Sequence, residues 1–318
     1  AGLMDVSVHP DFAENRFIYL SYSHGTEEGN RLRITRAILN GMALENPEVI
    51  FEVAQTKAGT SHFGSRFQWL PDRTLVFSVG DGGNPPNSFN GELIREQAQL
   101  LSSHLGKIIR INDDGTIPQD NPFVGRSEVR QAIFSYGHRN VQGLSFDVDR
   151  QRLVASEHGS KGGDELNVIN AGGNYGWPRV TYSTEYDVAG TRISPDQSLP
   201  GMEDPLAVWT PSIAPSAVVY YTGDRYGANR GDLFLAAMAL RANNGLIAYV
   251  SKPAGAVLRI DLDETGTVAG QQLISLGEVR VRSIGQGPDG YLYALTDAPS
   301  SQNQPGANNG ALWRIDRF

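Results

Sequence analysis

The chain has 318 residues, 40% of them hydrophobic, with 36 glycines, 17 prolines and no cysteine. That length can bury a large core, as one big all-β domain or two smaller ones, and the lack of thiols excludes disulfides and thiolate metal centres. A formal charge of −8 argues against nucleic acid or an anionic membrane as partner, and no apolar run reaches the roughly 18 residues of a membrane-crossing helix.

Glycine and proline punctuate many short apolar runs, and no long stretch keeps a helical period, so strands are predicted throughout. The chain opens on A-G-L-M-D-V, already in a strand pattern. One unit then recurs: a strand, a turn built on Pro-Asp or Asp-x, a second strand, and a loop with an acid. It reads V-S-V-H-P-D-F…R-F-I-Y-L-S-Y, then F-Q-W-L-P-D-R-T-L-V-F-S-V-G-D. It returns as L-S-F-D-V-D-R-Q-R-L-V-A-S-E and I-G-Q-G-P-D-G-Y-L-Y-A-L-T-D, with a looser copy at A-V-V-Y-Y…G-D-L-F-L-A. Further strands follow some copies: G-K-I-I-R-I-N, A-V-L-R-I-D-L-D and A-L-W-R-I-D. Such spacing, about four strands per repeat, predicts a β-propeller with loop insertions.

The blades are expected at Met4–Val53, Arg66–Ser135, Leu144 to about Trp209, Ala217–Leu276 and Arg280–Ile315, the last with three strands. Long loops fall at Gly80–Leu105, Asn112–Arg130 and Tyr182–Pro205, where lids or partner contacts are common. N-D-D-G-T-I-P, Asn112–Pro118, lacks the calcium-loop glutamate and reads as a turn.

The stretch Tyr136–Pro178 is the most informative. It contains Y-G-H-R-N-V-Q-G, E-H-G-S-K-G-G-D-E-L-N and G-G-N-Y-G-W-P around two short strands. Turns alone would use Asn, Asp, Ser and Gly. Two histidines, an arginine and three acids at strand ends point instead to a site on a rigid sheet.

In order and spacing these three motifs resemble the soluble quinoprotein sugar dehydrogenases, the glucose/sorbosone dehydrogenase family, over nearly the whole chain. The resemblance implies an all-β, six-bladed β-propeller forming a single catalytic domain over residues 1–318. About sixty residues of the sixth blade are then expected ahead of Ala1, together with a cofactor-contacting glutamine of the family. It also implies two cofactors, pyrroloquinoline quinone (PQQ) and Ca²⁺.

Residue by residue, His62 in T-S-H-F-G-S-R-F matches the family's catalytic base. A neutral imidazole suits taking a proton from a sugar hydroxyl, although a lone loop histidine has bland readings too. Asp81, in S-V-G-D-G-G, is its expected partner, fixing the tautomer; alone, G-D-G-G is a turn signal. Arg139 matches the guanidinium that faces the quinone carbonyl and the substrate, where fixed charge stabilises a developing alkoxide. Asn140, Gln142 and His158 match cofactor contacts.

Arg280 and Arg282, in V-R-V-R, are expected on one strand face. They read either as a solvated edge or as the family's pair for the quinone carboxylates. The backbone carbonyls of Gly159 and Ser160 match the Ca²⁺ ligands, with Ser160 where proline is common. Asp164 and Glu165 would brace that loop. In W-T-P-S-I-A-P-S, Trp209 is either a substrate-mouth aromatic or blade core, and Ser212 a hydroxyl on the cofactor. The family's basic cofactor residue falls on Arg241 or Lys252, with Arg241 favoured.

The resemblance therefore implies oxidation of an aldose C1 hydroxyl to a lactone by hydride transfer to PQQ, with electrons passed to an external acceptor and a periplasmic or secreted location. A cofactor-free binding module, as in the hedgehog-interacting proteins of this fold family, is the alternative from another class. Joint retention of His62, Asp81, Arg139, Asn140, Arg280 and Arg282 favours the enzyme. A Ca²⁺-dependent lactone hydrolase would need several carboxylates or amides converging on a metal, and the sequence shows no such set.

Overall fold

A computed structural model describes residues 2–243, 246–249, 255–277, 279–297 and 310–317, with backbone alone at 240–243 and 246–249. The chain divides into two compact units. The first holds residues 1–141, 169–181 and 193–204; the second holds 142–168, 182–192 and 205–318.

Five up-and-down antiparallel sheets follow one another, the arrangement of β-propeller blades. In the first unit, strands β1 (Leu3–Val8), β2 (Phe17–Gly25), β3 (Asn30–Asn40) and β4 (Ala43–Glu52) form one sheet, with the short helix α1 (Phe12–Asn15) between β1 and β2. The next sheet combines β5 (Phe67–Trp69), β6 (Leu75–Val79), β9 (Lys107–Ile111) and β10 (Ile133–Tyr136). Between β6 and β9 the chain makes a hairpin of β7 (Ser88–Phe89) and β8 (Glu92–Leu93), then a 3-10 turn over Ile94–Gln99. The predicted loop Gly80–Leu105 is thus folded rather than open.

The third sheet is β11 (Val141–Asp147), β12 (Arg152–Glu157), β13 (Asp164–Ile169) and β14 (Ala207–Trp209). The fourth is β15 (Pro215–Tyr220), β16 (Leu233–Ala237), β19 (Ala256–Leu262) and β20 (Val268–Ser275), interrupted by the hairpin β17 (Leu240–Asn243) and β18 (Leu246–Tyr249). The fifth has the three strands expected, β21 (Arg280–Gln286), β22 (Leu292–Asp297) and β23 (Ala311–Ile315). No described helix is long and apolar enough to cross a membrane.

Local chemistry explains the repeat. In L-P-D-R-T the Asp72 carboxylate accepts both the Thr74 N–H at 2.9 Å and its hydroxyl at 2.7 Å, closing the turn between β5 and β6. In G-P-D-G-Y the Asp289 carboxylate accepts the Tyr291 N–H at 3.2 Å. An aspartate bonding two residues ahead replaces a backbone turn contact, which is why Asp recurs there. N-D-D-G-T closes the same way: Asp114 Oδ1 accepts the Thr116 N–H at 2.9 Å and hydroxyl at 2.6 Å. It is a turn, as read from sequence.

Strands that are apolar on both sides sit between neighbouring sheets. On β16, Leu233 and Leu235 pack with Val154 and Leu166 of the preceding sheet. Phe234 and Ala236, pointing the other way, pack with Val281, Ile284 and Leu292 of the following one. Each such fully buried side chain contributes about 1.5–3 kcal/mol. In the first unit, Tyr19, Leu32 and Ile34 meet Leu75, Phe77 and Ile109 in the same manner. Lys107 lies wholly inside this unit, its ammonium donating to the carbonyls of Gln97 (2.9 Å), Ala98 (2.9 Å) and Leu105 (2.6 Å). It ties the 3-10 turn down onto β9.

Candidate functional site

The first unit assembles His62, Asp81, Arg139 and Asn140 at the end of β6 and the segment after β10. His62 adopts a left-handed backbone, φ 53°, which a non-glycine residue holds only when its surroundings impose it. Gly80 makes room for it: a Cβ there would lie 2.1 Å from the His62 carbonyl oxygen. One residue on, Asp81 N–H donates to Arg139 O at 2.8 Å, joining the two segments. Asn140 Oδ1 accepts the Gly64 N–H at 3.2 Å, holding the loop just past His62.

The side chains then meet. His62 Nδ1 lies 2.7 Å from Asp81 Oδ1, with the carboxylate almost fully enclosed at 1% exposure. A carboxylate accepts, so Nδ1 carries the proton and Nε2 is left with a lone pair. Asp81 is held further by Gly83 N–H at 3.1 Å and by the indole N–H of Trp177 at 2.8 Å. Arg139, buried, donates to Asn84 Oδ1 at 2.7 Å and lies over the Trp177 ring, 5.4 Å from its centroid. Lys57 is buried nearby with its ammonium 4.0 Å from the Phe63 ring centroid. Burial pulls its pKa down to about 8, against the charge of Asp81, which holds it up.

In the second unit, Asp164 organises the E-H-G-S-K-G-G-D loop. Its Oδ1 accepts the Gly159 N–H at 2.9 Å, and its Oδ2 accepts the Ser212 hydroxyl (2.7 Å), Ile213 N–H (2.7 Å) and Ala214 N–H (2.8 Å). The bracing role read for Asp164 is what these bonds describe, and they use the Ser212 hydroxyl proton. Gly159 has no room for a side chain, since a Cβ would meet Gly162 O at 2.1 Å. Ser160 N–H donates to the Ser183 hydroxyl at 3.0 Å, and Ser160 O accepts the Tyr186 hydroxyl at 2.6 Å.

His158 Nε2 lies 2.7 Å from Pro215 O and so carries a proton toward it. Asn167 donates to both Glu157 (3.1 Å) and Glu165 (3.2 Å). Burial, and then the neighbouring charge of Glu157, pushes the Glu165 carboxyl well up from its ordinary range.

Also in the second unit, Arg280 and Arg282 do share a face. Both reach the Met238 sulfur, at 3.3 and 2.9 Å, and both have Nε 3.7 Å from Asp297. A bulge between Val281 and Ser283 adjusts the pairing of β21 with β22 at this point. Trp209 is 7% exposed in the core beside Val154 and Leu166, its indole donating to Gln271 Oε1 at 3.1 Å. That environment matches the blade-core alternative. Gln142 is half-buried on β11. Arg241 lies on β17, with its side chain outside the described set, and Lys252 lies outside the described residues.

Sequence reasoning assigned no role to Trp177, Asn84, Lys57, Met238, Asp297 or Tyr186. One signal was available for two of them. In four of the five sheets the second strand ends at or just before one of the residues described above: Asp81 follows β6, Glu157 ends β12, Met238 follows β16 and Asp297 ends β22.

The donor sets can be tested against the two expected cofactors. Paired guanidiniums lying beyond hydrogen-bond reach of Asp297 suit the carboxylates of a polyanionic ring. Among the described residues no three His, Asp or Glu side chains gather as a metal-binding group. The carbonyl oxygens of Gly159 and Ser160 are of the type that suits a hard cation, and Ser160 O keeps a second lone pair beside the Tyr186 bond.

The glucose/sorbosone dehydrogenase family profile matches residues 1–305. An uncharacterized protein of Synechocystis is 49% identical over 315 residues, covering 99% of this chain and 70% of the relative. The aldose sugar dehydrogenase YliI of Escherichia coli is 32% identical over 304 residues, covering 95% of this chain and 76% of the relative. The solved PQQ-bound aldose sugar dehydrogenase of Streptomyces coelicolor superposes with a TM-score of 0.71 at 27% identity, covering 98% of this chain and 79% of that one.

Proposed function

Because the chain belongs to the glucose/sorbosone dehydrogenase family, we propose that it is an oxidoreductase converting aldose sugars to lactones at C1 with PQQ and Ca²⁺. The observation that carries this reading is the part-buried His62, 2.7 Å from the enclosed Asp81 carboxylate on a strained backbone beside Arg139. When bound, PQQ supplies the hydride acceptor. Arg139, Asn140 and Gln142, with Arg280, Arg282 and His158, are the residues proposed to hold it, Ser212 and Arg241 being further contacts taken from the family. Gly159 O and Ser160 O are the proposed Ca²⁺ ligands.

The chain's own chemistry is proton transfer and positioning. His62 Nε2 accepts the proton of the C1 hydroxyl, and Asp81 stabilises the imidazolium through Nδ1–H without moving the proton itself. Arg139 is proposed to stabilise negative charge developing on oxygen, its guanidinium fixed in advance by Asn84 and the Trp177 face. We place the enzyme in the periplasm or outside the cell, reoxidised by an external electron acceptor.

The test adds PQQ and Ca²⁺ to the protein and follows aldose-dependent reduction of a dye. Sugar-dependent turnover is expected. Silence with several aldoses, together with no quinone binding, overturns the reading in favour of a binding module.

A further inference from the structure

Trp177 stands 96 residues from Asp81 in sequence, yet its indole N–H ends on Asp81 Oδ2 at 2.8 Å, both groups buried. A core tryptophan needs some acceptor for its N–H, and any carbonyl would serve. This one takes the second oxygen of the carboxylate whose first oxygen holds His62. Its backbone has little freedom: Trp177 N–H donates to Gly137 O at 2.9 Å, and Trp177 O accepts from Gln99 Nε2 at 2.8 Å. Gln99 and Asn174 exchange two further amide bonds, each 3.0 Å. The indole is therefore aimed at Asp81 by the loop rather than resting there by chance.

We propose that Trp177 is a positioning residue that sets the basicity and aim of His62 through Asp81. The inference rests on reading His62 as the proton acceptor. A donor on Oδ2 draws negative charge away from Oδ1, so the carboxylate holds an imidazolium less tightly and the imidazole stays neutral to lower pH. The same bond fixes the carboxylate plane and, through it, the direction of Nε2. Three cations lie around the group: Lys57, buried in the segment before His62, Arg139 after β10, and Arg95 on the 3-10 turn, the last two over the Trp177 ring. All three keep their charge in Trp177→Phe, and benzothienylalanine at position 177 also keeps a bicyclic ring under Arg139 and Arg95.

The experiment is a histidine-ring NMR titration of the full chain, without quinone or sugar, in wild type and Trp177→Phe. Phenylalanine keeps a ring under Arg139 and removes the donor. The His62 midpoint is expected to rise by about half a unit to one unit, and to fall in Asp81→Asn, where the negative charge is gone. A packing defect would shift the midpoint in an Asp81→Asn background as well, where the lost indole N–H has no carboxylate to act on. In the quinone-loaded enzyme, Trp177→Phe moves the acid limb of kcat/KM upward by the same amount, with KM changed by less than about twofold.

An unchanged midpoint in Trp177→Phe overturns the proposal. Should that variant fail to fold, benzothienylalanine at position 177 removes the N–H within the same shape, and the same midpoints decide. A loaded wild type that oxidises no aldose defeats the functional reading instead, and the ring titration still answers this one.

Discussion

The charged groups around His62 and those around Arg280 are held in different ways. Around His62 the carboxylate is enclosed and fully hydrogen-bonded: His62, Asp81, Trp177 and Gly83 form a chain with every contact between 2.7 and 3.1 Å. In the second unit, Arg280 and Arg282 stand 3.7 Å from Asp297 and touch a thioether, with Arg282 half exposed. A base must be oriented before substrate arrives, because the precision of proton transfer depends on it. Groups that recognise a polyanion are useful when their protein contacts are weak enough to be exchanged. On the proposed function, His62 and Asp81 are a base oriented in advance, and Arg280 and Arg282 are part of the set that recognises the quinone.

The widest separation between the two comes from His62→Ala. Turnover with added quinone and Ca²⁺ should fall by about 10²–10⁴, while quinone binding, followed by its absorbance, stays near wild type. Equal loss of both would erase the distinction. Asp164→Ala tests a carboxylate of the second unit that is held as tightly as Asp81. Four donors lose their acceptor at once, costing on the order of 3 kcal/mol in a denaturant titration. A change below about 1 kcal/mol would mean that water replaces the carboxylate there.

Arg280→Ala and Arg282→Ala should each weaken quinone binding by about tenfold to a hundredfold, the worth of one charge-assisted contact, and leave the His62 titration untouched. Smallest is a pH effect at Glu165. Its carboxyl is raised in the folded state, so the stability it contributes is present at acid pH and lost as pH rises through its folded pKa. Glu165→Gln should leave the melting temperature unchanged at about pH 5 and raise it by about 2 °C at about pH 9. An equal shift at both pH values would assign the effect to packing.

The blades were legible because their signals are local. Alternation on β16 and the Asp72 and Asp289 turns lie within a few residues of each other, and Arg280–Ile315 shows three strands both in the sequence and in the fold. The His62–Asp81 pairing was legible only through the motifs, since nothing in T-S-H-F or G-D-G-G alone states that the two meet. Trp177 was quoted in a motif without a role, because its hydrogen bond depends on how the loop of Gln99 and Asn174 docks, and no periodicity encodes that. Asn84 had no role in the sequence reading, and its side chain accepts from the Arg139 guanidinium. Trp209 shows the reverse case, an aromatic with two open readings whose surroundings are core.

The enclosed ammonium of Lys107 makes the first unit self-reporting. An amine held by three carbonyls inside the core cannot meet an acylating reagent while the sheet is intact. Acylation at that position then counts opening events, and its rate, followed by peptide mass spectrometry, gives a clock for how often the first unit comes apart.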